Sequence, residues 1–267
     1  MYIDLSTKTA LVTASTGGIG LAIARGLAAS GARVVLNGRS QSSIERARTR
    51  LLHEVADARI EGVAADLSDA AGADRLLQGL AAIGDIDILV NNAGIYEPGD
   101  FFETGDAVWE RHWQTNVLSG VRLSRALLPG LVERGWGRVV FISSESARNI
   151  PADMIHYGVS KTALLALSRG LAKRVAGSGV TVNAVLPGPT VSDGFVAMLE
   201  GEAERSGKSI DELGREFVLS HRPSSVIQRP ATVEEVANLV VYVASPQASA
   251  TSGAALRVDG GVVDDIL

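Results

Sequence analysis

Tyr157 and Lys161 are the residues in this sequence whose types and spacing point most directly to chemistry. Side chains four positions apart share one face of a helix, so the phenol and the ammonium can face one cleft. Lowering a phenol pKa from about 10 to about 7 requires roughly 4 kcal/mol. One cation about 5 Å away supplies roughly 3 kcal/mol at an effective dielectric constant of about 20, and a second positive charge nearby would cover the remainder. The pair predicts a tuned proton donor and acceptor, although the spacing alone is also typical of solvated surface neighbours.

Three further groups of polar residues favour the chemical interpretation. Ser144 follows the apolar, strand-like run 138–143, where its hydroxyl can orient a substrate oxygen. The tetrad 91–94, Asn-Asn-Ala-Gly, follows another buried-strand pattern, at the end where doubly wound sheets bind ligands. Asn116 lies in a polar stretch that interrupts a helical pattern. Together these residues favour a functional role for the tyrosine and lysine pair.

Short apolar runs alternate with longer amphipathic stretches, which predicts strand and helix units around a parallel sheet. The expected fold is α/β, a doubly wound, Rossmann-like three-layer sandwich with a central parallel sheet of about seven strands. Residues 1–267 are expected to form a single dinucleotide-binding domain, in which 191–229 are a substrate-binding lid. The predicted strands are 9–13, 33–37, 59–64, 86–90, 138–142, 181–185 and 255–258. The predicted helices are 18–29, 42–56, 70–82, 107–133, 154–176 and 233–244.

The composition argues against several classes of protein. The chain has 267 residues, 46% of them hydrophobic, which is enough for one large domain with a filled core. A net charge of -5 and scattered Lys and Arg argue against a nucleic-acid partner. The sequence has no cysteine, and its four histidines show no metal-ligand spacing, so no metal is predicted. No leader pattern and no apolar run of roughly 20 residues is found, which predicts a cytoplasmic protein without a membrane partner.

The segment 13–20, Thr-Ala-Ser-Thr-Gly-Gly-Ile-Gly, follows the first predicted strand and opens a predicted helix. Glycines in that position let the backbone approach a pyrophosphate at the helix N-terminus, where N–H groups and the helix dipole favour negative charge. A glycine cluster alone is weak evidence, but a preceding strand and a following helix make it a good dinucleotide signature. The predicted contacts in this turn are Thr13, Ser15, Thr16, Gly18, Ile19 and Gly20.

From about residue 8 to residue 262, these motifs resemble the short-chain dehydrogenase/reductase family, in its single-domain form similar to 3-oxoacyl reductases. The catalytic tetrad that the resemblance implies is Asn116, Ser144, Tyr157 and Lys161. Ser144 is preferred over Ser143 because the family's serine usually stands thirteen residues before the tyrosine. The family normally has a glycine where this chain has Ala14, so we expect altered local geometry there with cofactor binding retained.

The end of the second predicted strand bears on the choice of cofactor. NAD-selective enzymes usually place a carboxylate there, but Gly38 occupies the position and Arg39 follows it. A guanidinium suits a phosphate, so NADP(H) is favoured over NAD(H), with Ser40 sharing the contact; alternatively, Arg39 stacks on adenine. Asp66 resembles an adenine-binding position and can equally cap a helix before Ser68. The remaining contacts implied by the resemblance are Leu67, Asn92, Ala93, Gly94, Tyr157, Lys161, Pro187, Gly188 and Thr190.

The resemblance implies an NADP-dependent oxidoreductase that transfers hydride between the nicotinamide and a small ketone or secondary alcohol. In the reduction direction Tyr157 would donate the proton and Ser144 would bind the carbonyl oxygen. Lys161 would lower the tyrosine pKa and hold the ribose, and Asn116 would support a proton-returning water. Two alternatives stay open: epimerisation or dehydration of a sugar nucleotide, and a cofactor-binding sensor or scaffold without turnover. The family also implies a homotetramer or homodimer.

Overall fold

The computed structural model describes residues 2–266, and a seven-stranded parallel sheet forms its centre. The strands of this sheet are β1 (Thr9–Val12), β2 (Arg33–Gly38), β3 (Arg59–Ala64), β4 (Ile88–Asn91), β5 (Gly137–Ile142), β6 (Val180–Pro187) and β9 (Ala255–Val258). They follow the order β3-β2-β1-β4-β5-β6-β9, and every neighbouring pair is parallel. The short strands β7 (Thr190–Val191) and β8 (Ala231–Thr232) pair separately. The predicted doubly wound α/β fold is confirmed.

Helices cover both faces of the sheet. Their bounds are α1 (Gly18–Ala29), α2 (Gln41–Glu54), α3 (Ala70–Ala81), α4 (Asp106–His112), α5 (Ser119–Glu133), α6 (Ile155–Arg174), α7 (Asp193–Ser206), α8 (Ile210–His221) and α9 (Val233–Val243). Across residues 2–266, no helix has both the length and the apolar character needed to cross a membrane.

The hydrophobic core lies in two layers, one on each face of the sheet. In β1, Ala10 and Val12 belong to one buried cluster and Leu11 to the other, because successive strand side chains point to opposite faces. The first cluster includes residues of α1, α2 and α9, and the second includes residues of α3, α5 and α6. Strands covered on both faces are apolar at consecutive positions, which explains why continuous apolar runs mark them in the sequence.

The strand order reverses at β1, which has β2 on one side and β4 on the other. Connections that leave in opposite directions open a crevice at the carboxyl ends of these strands. Thr13 follows β1 and Asn92 follows β4, and the backbone N–H of Asn92 donates to the Thr13 hydroxyl at 2.9 Å. The glycine-rich turn and the Asn-Asn-Ala-Gly tetrad therefore meet at the crevice.

The helix predicted over 107–133 is divided in the structure. A π-helical segment, Trp113–Leu118, separates α4 from α5 and contains Asn116. Wider π-helical turns are rare and frequently occur at functional sites. The polar stretch noticed in the sequence is thus a change of helical geometry within a continuous helical run.

Within 191–229, α7 and α8 pack on each other to form a helical hairpin. A small core of Phe195, Leu199 and Leu213 holds the two helices together, separately from the two core layers of the sheet. α7 begins after Ser192, whose hydroxyl accepts a hydrogen bond from the Phe195 N–H at 3.4 Å. The hairpin is therefore a compact unit joined to the rest of the chain at its two ends and by a few side-chain contacts described below.

Candidate active site

The lysine and tyrosine of α6 lie together in a buried region. Lys161 is 5% exposed, and its Nζ lies 5.6 Å from the centroid of the Tyr157 ring. The same Nζ donates to the carbonyl of Ile142 at 3.0 Å, which ties the lysine to the carboxyl end of β5. Burial lowers the pKa of Lys161 to about 8. The pair is not a solvated surface pair.

Burial raises the pKa of Tyr157 to about 12, because a low-dielectric environment disfavours the phenolate. A hydrogen bond with Ser144 opposes this shift, while the nearby negative charge of Glu145 adds to it. The expected lowering of the tyrosine pKa toward 7 is therefore not produced by the protein groups alone. Burial is the largest cause of the raised pKa, and burial also disfavours the charged form of Lys161. At neutral pH the side chain is a protonated phenol, which is the proton-donating form.

The structure distinguishes the two serines at the end of β5. Ser144 hydrogen-bonds Tyr157 and also accepts from the Ser146 N–H at 3.1 Å. Ser143 instead donates to the backbone carbonyl of Lys161 at 2.8 Å, in a buried contact that joins β5 to α6. Ser144 is therefore the serine that shares the site with the phenol.

Asn116 braces the loop after β4 against α6. Its Oδ1 accepts from the Ile95 N–H at 2.8 Å, and its Nδ2 donates to the Ile95 carbonyl at 3.0 Å and to Ser160 Oγ at 2.9 Å. Gly94 lies against the same group, because a Cβ built there would be 3.1 Å from Lys161 Nζ and 3.4 Å from Asn116 Oδ1. The four predicted catalytic residues thus converge at the carboxyl ends of the central strands β4 and β5.

The glycine-rich turn is fixed by the crevice residues. The Thr13 hydroxyl accepts from the N–H groups of Asn92 and Ala93, both at 2.9 Å, and Asn92 Nδ2 donates to the carbonyls of Thr13 and Ala14 at 3.0 and 3.1 Å. A Cβ built at Gly20 would lie 2.6 Å from Asn92 Nδ2, so only glycine fits there. Within the described part of the chain, the first turn of α1 has no acidic residue. The turn therefore fits a pyrophosphate in shape and brings no negative charge of its own, although the Asp193 carboxylate of α7 reaches its Gly18 N–H.

The other predicted contacts of the turn differ in what they present. Ser15 is fully buried; its hydroxyl donates to the Val12 carbonyl at 2.7 Å and accepts from the Asn37 N–H at 3.0 Å. It braces the turn from within. Ile19 packs on the first core layer, whereas Thr16 lies beside Gly38 at the end of β2.

Ala14 adopts a left-handed backbone with φ +48°, at the position where a glycine was expected. That conformation costs a residue with a Cβ about 1–2 kcal/mol. Ala14→Gly is expected to raise the free energy of unfolding by about 0.5–1 kcal/mol, because added flexibility of the unfolded chain offsets part of the relieved strain. Denaturant unfolding of both proteins measures the difference. Unchanged or lower stability of the glycine variant would count against strain at this turn.

At the end of β2, Gly38 has no side chain beyond its hydrogen, and the next residue is the cation Arg39. A Cβ built at Gly38 would lie 2.5 Å from Thr16 Cγ2 and 3.1 Å from Ser43 Oγ, so a carboxylate side chain does not fit there without displacement. Arg39 is exposed and, among residues 2–266, makes no hydrogen bond or ion pair. Ser40 caps α2 by accepting from the Ser43 N–H at 3.3 Å. This corner presents a guanidinium, hydroxyls and a helix N-terminus to solvent.

The remaining predicted cofactor contacts lie at the carboxyl ends of β3 and β6 and in the loops that follow these two strands. Asp66 is exposed and accepts from the Ser68 N–H at 3.0 Å, whereas Asp69, not Asp66, caps α3. Leu67 is buried in the second core layer, and Pro187 ends β6. Gly188 approaches the backbone of Asp259, since a Cβ there would lie 2.6 Å from the Asp259 carbonyl oxygen. The Thr190 hydroxyl donates to the Gly188 carbonyl at 2.9 Å.

Two residues of the site were missed in the sequence analysis. Asp193, at the start of α7, accepts from the Gly18 N–H at 2.9 Å and so joins the helical hairpin to the glycine-rich turn. Tyr96 packs its ring against Tyr157 with centroids 6.2 Å apart and an interplanar angle of 65°. Tyr96 follows the Asn-Asn-Ala-Gly tetrad by two residues, a proximity that offered a signal; nothing in the sequence links Asp193 to Gly18.

His156 adjoins Tyr157 in the sequence, and the structure buries it against His112 with ring centroids 4.4 Å apart. Potential metal-ligand atoms of Glu97, His112 and His156 lie within 4.8 Å of one another. Glu97 already forms an ion pair with Arg111, and His156 Nε2 is hydrogen-bonded to the Glu97 carbonyl at 3.1 Å. These contacts account for two of the three groups without a metal.

Burial lowers the pKa of His112, and the neighbouring charges of His156 and Arg111 act in the same direction. The Val108 carbonyl and Glu97 oppose the shift. The imidazole of His112 binds a proton more readily in the unfolded chain than in the folded one. Its contribution to the free energy of unfolding is therefore complete above about pH 6.5 and decreases as the pH falls. We expect the free energy of unfolding to decrease between about pH 7 and pH 5.5, and to decrease less in His112→Phe. Denaturant titrations at both pH values test this, and equal slopes in the two proteins would exclude His112 as a source.

Comparisons with known proteins agree with this site. A family model described as short chain dehydrogenase matches residues 8–203. The uncharacterized oxidoreductase YvaG of Bacillus subtilis is 42% identical over 266 residues, covering 100% of both chains. D-beta-hydroxybutyrate dehydrogenase of Cupriavidus necator is 33% identical over 264 residues, covering 97% of this chain and 99% of its own. The structure of L-sorbose reductase from Gluconobacter frateurii complexed with NADPH and L-sorbose superposes with a TM-score of 0.92 at 32% identity, covering 100% of both chains.

The matches to these relatives extend over nearly the whole chain, and together with the family model they confirm the prediction of an NAD(P)-dependent enzyme that acts on a CH–OH group. The chain that matches these proteins also contains the glycine-rich turn, the crevice where the strand order reverses, and the buried tyrosine. The protein belongs to the short-chain dehydrogenase/reductase family of oxidoreductases.

Proposed function

We propose that this protein transfers hydride reversibly between NADP(H) and a small ketone or secondary alcohol, with Tyr157 as the proton donor and acceptor. The observation that carries the proposal is the convergence of Tyr157, Ser144 and Lys161 at the sheet edge beside the glycine-rich turn. Each comes from the end of β5 or from α6, and the tyrosine is a protonated phenol at neutral pH. A buried donor of this kind supports reduction of a carbonyl group.

In this mechanism, each residue has a separate task. When bound, the nicotinamide would supply or accept the hydride. Ser144 donates a hydrogen bond to the substrate oxygen, and Tyr157 transfers the proton to that oxygen. Lys161 adds positive charge near the phenol and favours the phenolate in the oxidation direction. Asn116 keeps the loop after β4 fixed against α6, and we assign its segment to the water-mediated return of protons.

The preference for NADP(H) over NAD(H) rests on the end of β2. A 2′-phosphate is an anion, and Arg39, Ser40 and the N-terminus of α2 are the cationic and hydrogen-bonding groups nearest that corner. Gly38 leaves no carboxylate to repel the phosphate or to accept from the ribose hydroxyls. Similarity to reductases solved with NADPH supports the same preference.

The helical hairpin α7–α8 acts as the lid in this proposal. Its first turn contacts the glycine-rich turn through Asp193, and a Cβ built at Gly194 would lie 2.9 Å from the Tyr96 hydroxyl. A lid in contact with both the cofactor turn and the tyrosine pair excludes water from the reacting groups.

Titration of the purified protein with NADPH and with NADH, followed by absorbance assays of turnover, tests the proposal. The substrate panel contains small ketones, hydroxyketones, 3-oxoacyl thioesters and secondary alcohols, including 3-hydroxybutyrate. Tighter binding of NADPH and turnover of any member support it. Cofactor binding without turnover would instead favour a sensor, and tighter NADH binding would refute the assignment of Arg39. The homotetramer or homodimer and the cytoplasmic location stay predictions; light scattering tests the first.

A further inference from the structure

The residue that follows Ser144 carries a buried carboxylate. Glu145 is 3% exposed, and its Oε1 accepts from Arg222 Nε at 2.8 Å and from Ser146 Oγ at 3.2 Å. Its Oε2 is buried and has no hydrogen-bond partner among the residues that the structure describes. A carboxylate in such a place is strongly destabilising unless a cation neutralises it. The charged form of Glu145 therefore depends on Arg222 for its stability.

Arg222 comes from a distant part of the chain. It directly follows α8, at the end of the helical hairpin, and stands 77 positions from Glu145. The side chains of Arg222 and Glu145 are 14% and 4% exposed, so salt screens their attraction weakly. The Arg222 Nη1 also donates to the His221 carbonyl at 2.9 Å, which orients the guanidinium at the helix end. The ion pair thus joins the hairpin to the catalytic loop, residues 143–148.

The same two charges act on the tyrosine. Glu145 raises the pKa of Tyr157, whereas Arg222 lowers it. Among the other groups around the phenol, Ser144 lowers its pKa and Tyr96 raises it, and Lys161 Nζ lies 5.6 Å from the ring centroid. Burial raises the pKa of Glu145 and Asp259 adds to this shift, whereas Arg222 and Ser146 oppose it. With Arg222 in place the carboxylate is neutralised; without it, at the alkaline pH at which a phenol ionises, Tyr157 would face an uncompensated negative charge.

We propose that Arg222 is a positioning residue that couples closure of the helical hairpin to the catalytic loop, by neutralising Glu145 beside Ser144 and Tyr157 when the hairpin is closed. The inference that the ion pair holds the hairpin closed rests on the fold alone. The effect on the tyrosine rests on the proposed function. Arg222 touches neither substrate nor cofactor in this scheme, and the carboxylate after Ser144 is the group through which it acts.

Three variants separate closure from electrostatics. Arg222→Met removes the cation, Arg222→Met with Glu145→Gln removes both charges, and Arg215→Met removes an exposed arginine of α8 as a matched control. Amide hydrogen exchange over residues 193–221 measures closure in each protein without requiring turnover. The pH dependence of alcohol oxidation with NADP+ measures the tyrosine, because the phenolate must form before it can accept a proton.

In Arg222→Met we expect exchange in the hairpin to become at least about tenfold faster, as for loss of one charge-assisted hydrogen bond. We expect the midpoint of the pH profile to rise by about one unit, because a like charge near the phenol is left unpaired. The double variant is expected to keep the fast exchange and to recover the pH midpoint, and Arg215→Met to match the wild type in both. Unchanged exchange in Arg222→Met overturns the proposal. So does a raised pH midpoint that stays raised in the double variant with Glu145→Gln. If the wild type turns over no substrate, the proposed function fails while the exchange result still tests closure.

Discussion

Tyr157→Phe is expected to lower turnover by about a hundred- to ten-thousand-fold, the range that a positioned proton donor contributes. The variant removes one oxygen atom and keeps the aromatic ring that packs edge-on against Tyr96. Ser144 keeps its hydrogen bond from the Ser146 N–H, so the catalytic loop retains its geometry. The loss should therefore appear in kcat rather than in the dissociation constant of NADPH.

The matched measurement is cofactor binding by the same variant. The glycine-rich turn and the Arg39 corner are separate from the phenol, so the affinity for NADPH should remain within about threefold of the wild type, a difference of less than 1 kcal/mol. Tyr96→Phe is a useful control, because it removes a second phenol from the same aromatic pair. Full activity in Tyr157→Phe would remove this residue from the mechanism. Equal losses in both variants would point to a general need for the two hydroxyl groups rather than to proton transfer by Tyr157.

The sequence predicted the framework of this site because its signals are local. Apolar runs identify strands that are buried on both faces, and the glycine-rich turn and the tetrad 91–94 directly follow two of them. Once β1 and β4 are neighbours, the residues after them must meet. The spacing of Tyr157 and Lys161 likewise needs only a helix. These features depend on a few consecutive residues, and the structure confirms the elements that carry them.

The parts that were missed depend on contacts between distant residues. The contact of Asp193 with the glycine-rich turn and the pairing of Arg222 with Glu145 join positions 175 and 77 residues apart. Neither has a spacing that a sequence pattern can reveal. The tyrosine pKa also depends on more than neighbouring positions in the sequence. The sequence shows the lysine four positions away, whereas the burial that raises the pKa of Tyr157 to about 12 arises from the whole fold.

Arg39→Ala is expected to weaken binding of NADPH by about ten- to a hundredfold, as for loss of a charge-assisted hydrogen bond to a phosphate. Binding of NADH should change little, because it has no 2′-phosphate. In the wild type, the preference for NADPH should also decrease as salt is added, since the corner is exposed and screening is strong there. Isothermal titration with both cofactors, at low and at moderate salt, measures each of these quantities.

The pattern of the losses identifies what Arg39 contacts. Arg46→Ala, on the exposed surface of α2, is the matched control for a general change in charge, and it should leave both affinities unaltered. A loss confined to NADPH assigns the guanidinium to the phosphate. Equal losses for NADPH and NADH would assign it to a group that both cofactors share, as expected for stacking on adenine. In that case the NADP(H) preference would have to come from Ser40 and the N-terminus of α2, and Ser40→Ala would then be the variant that narrows the difference between the two cofactors.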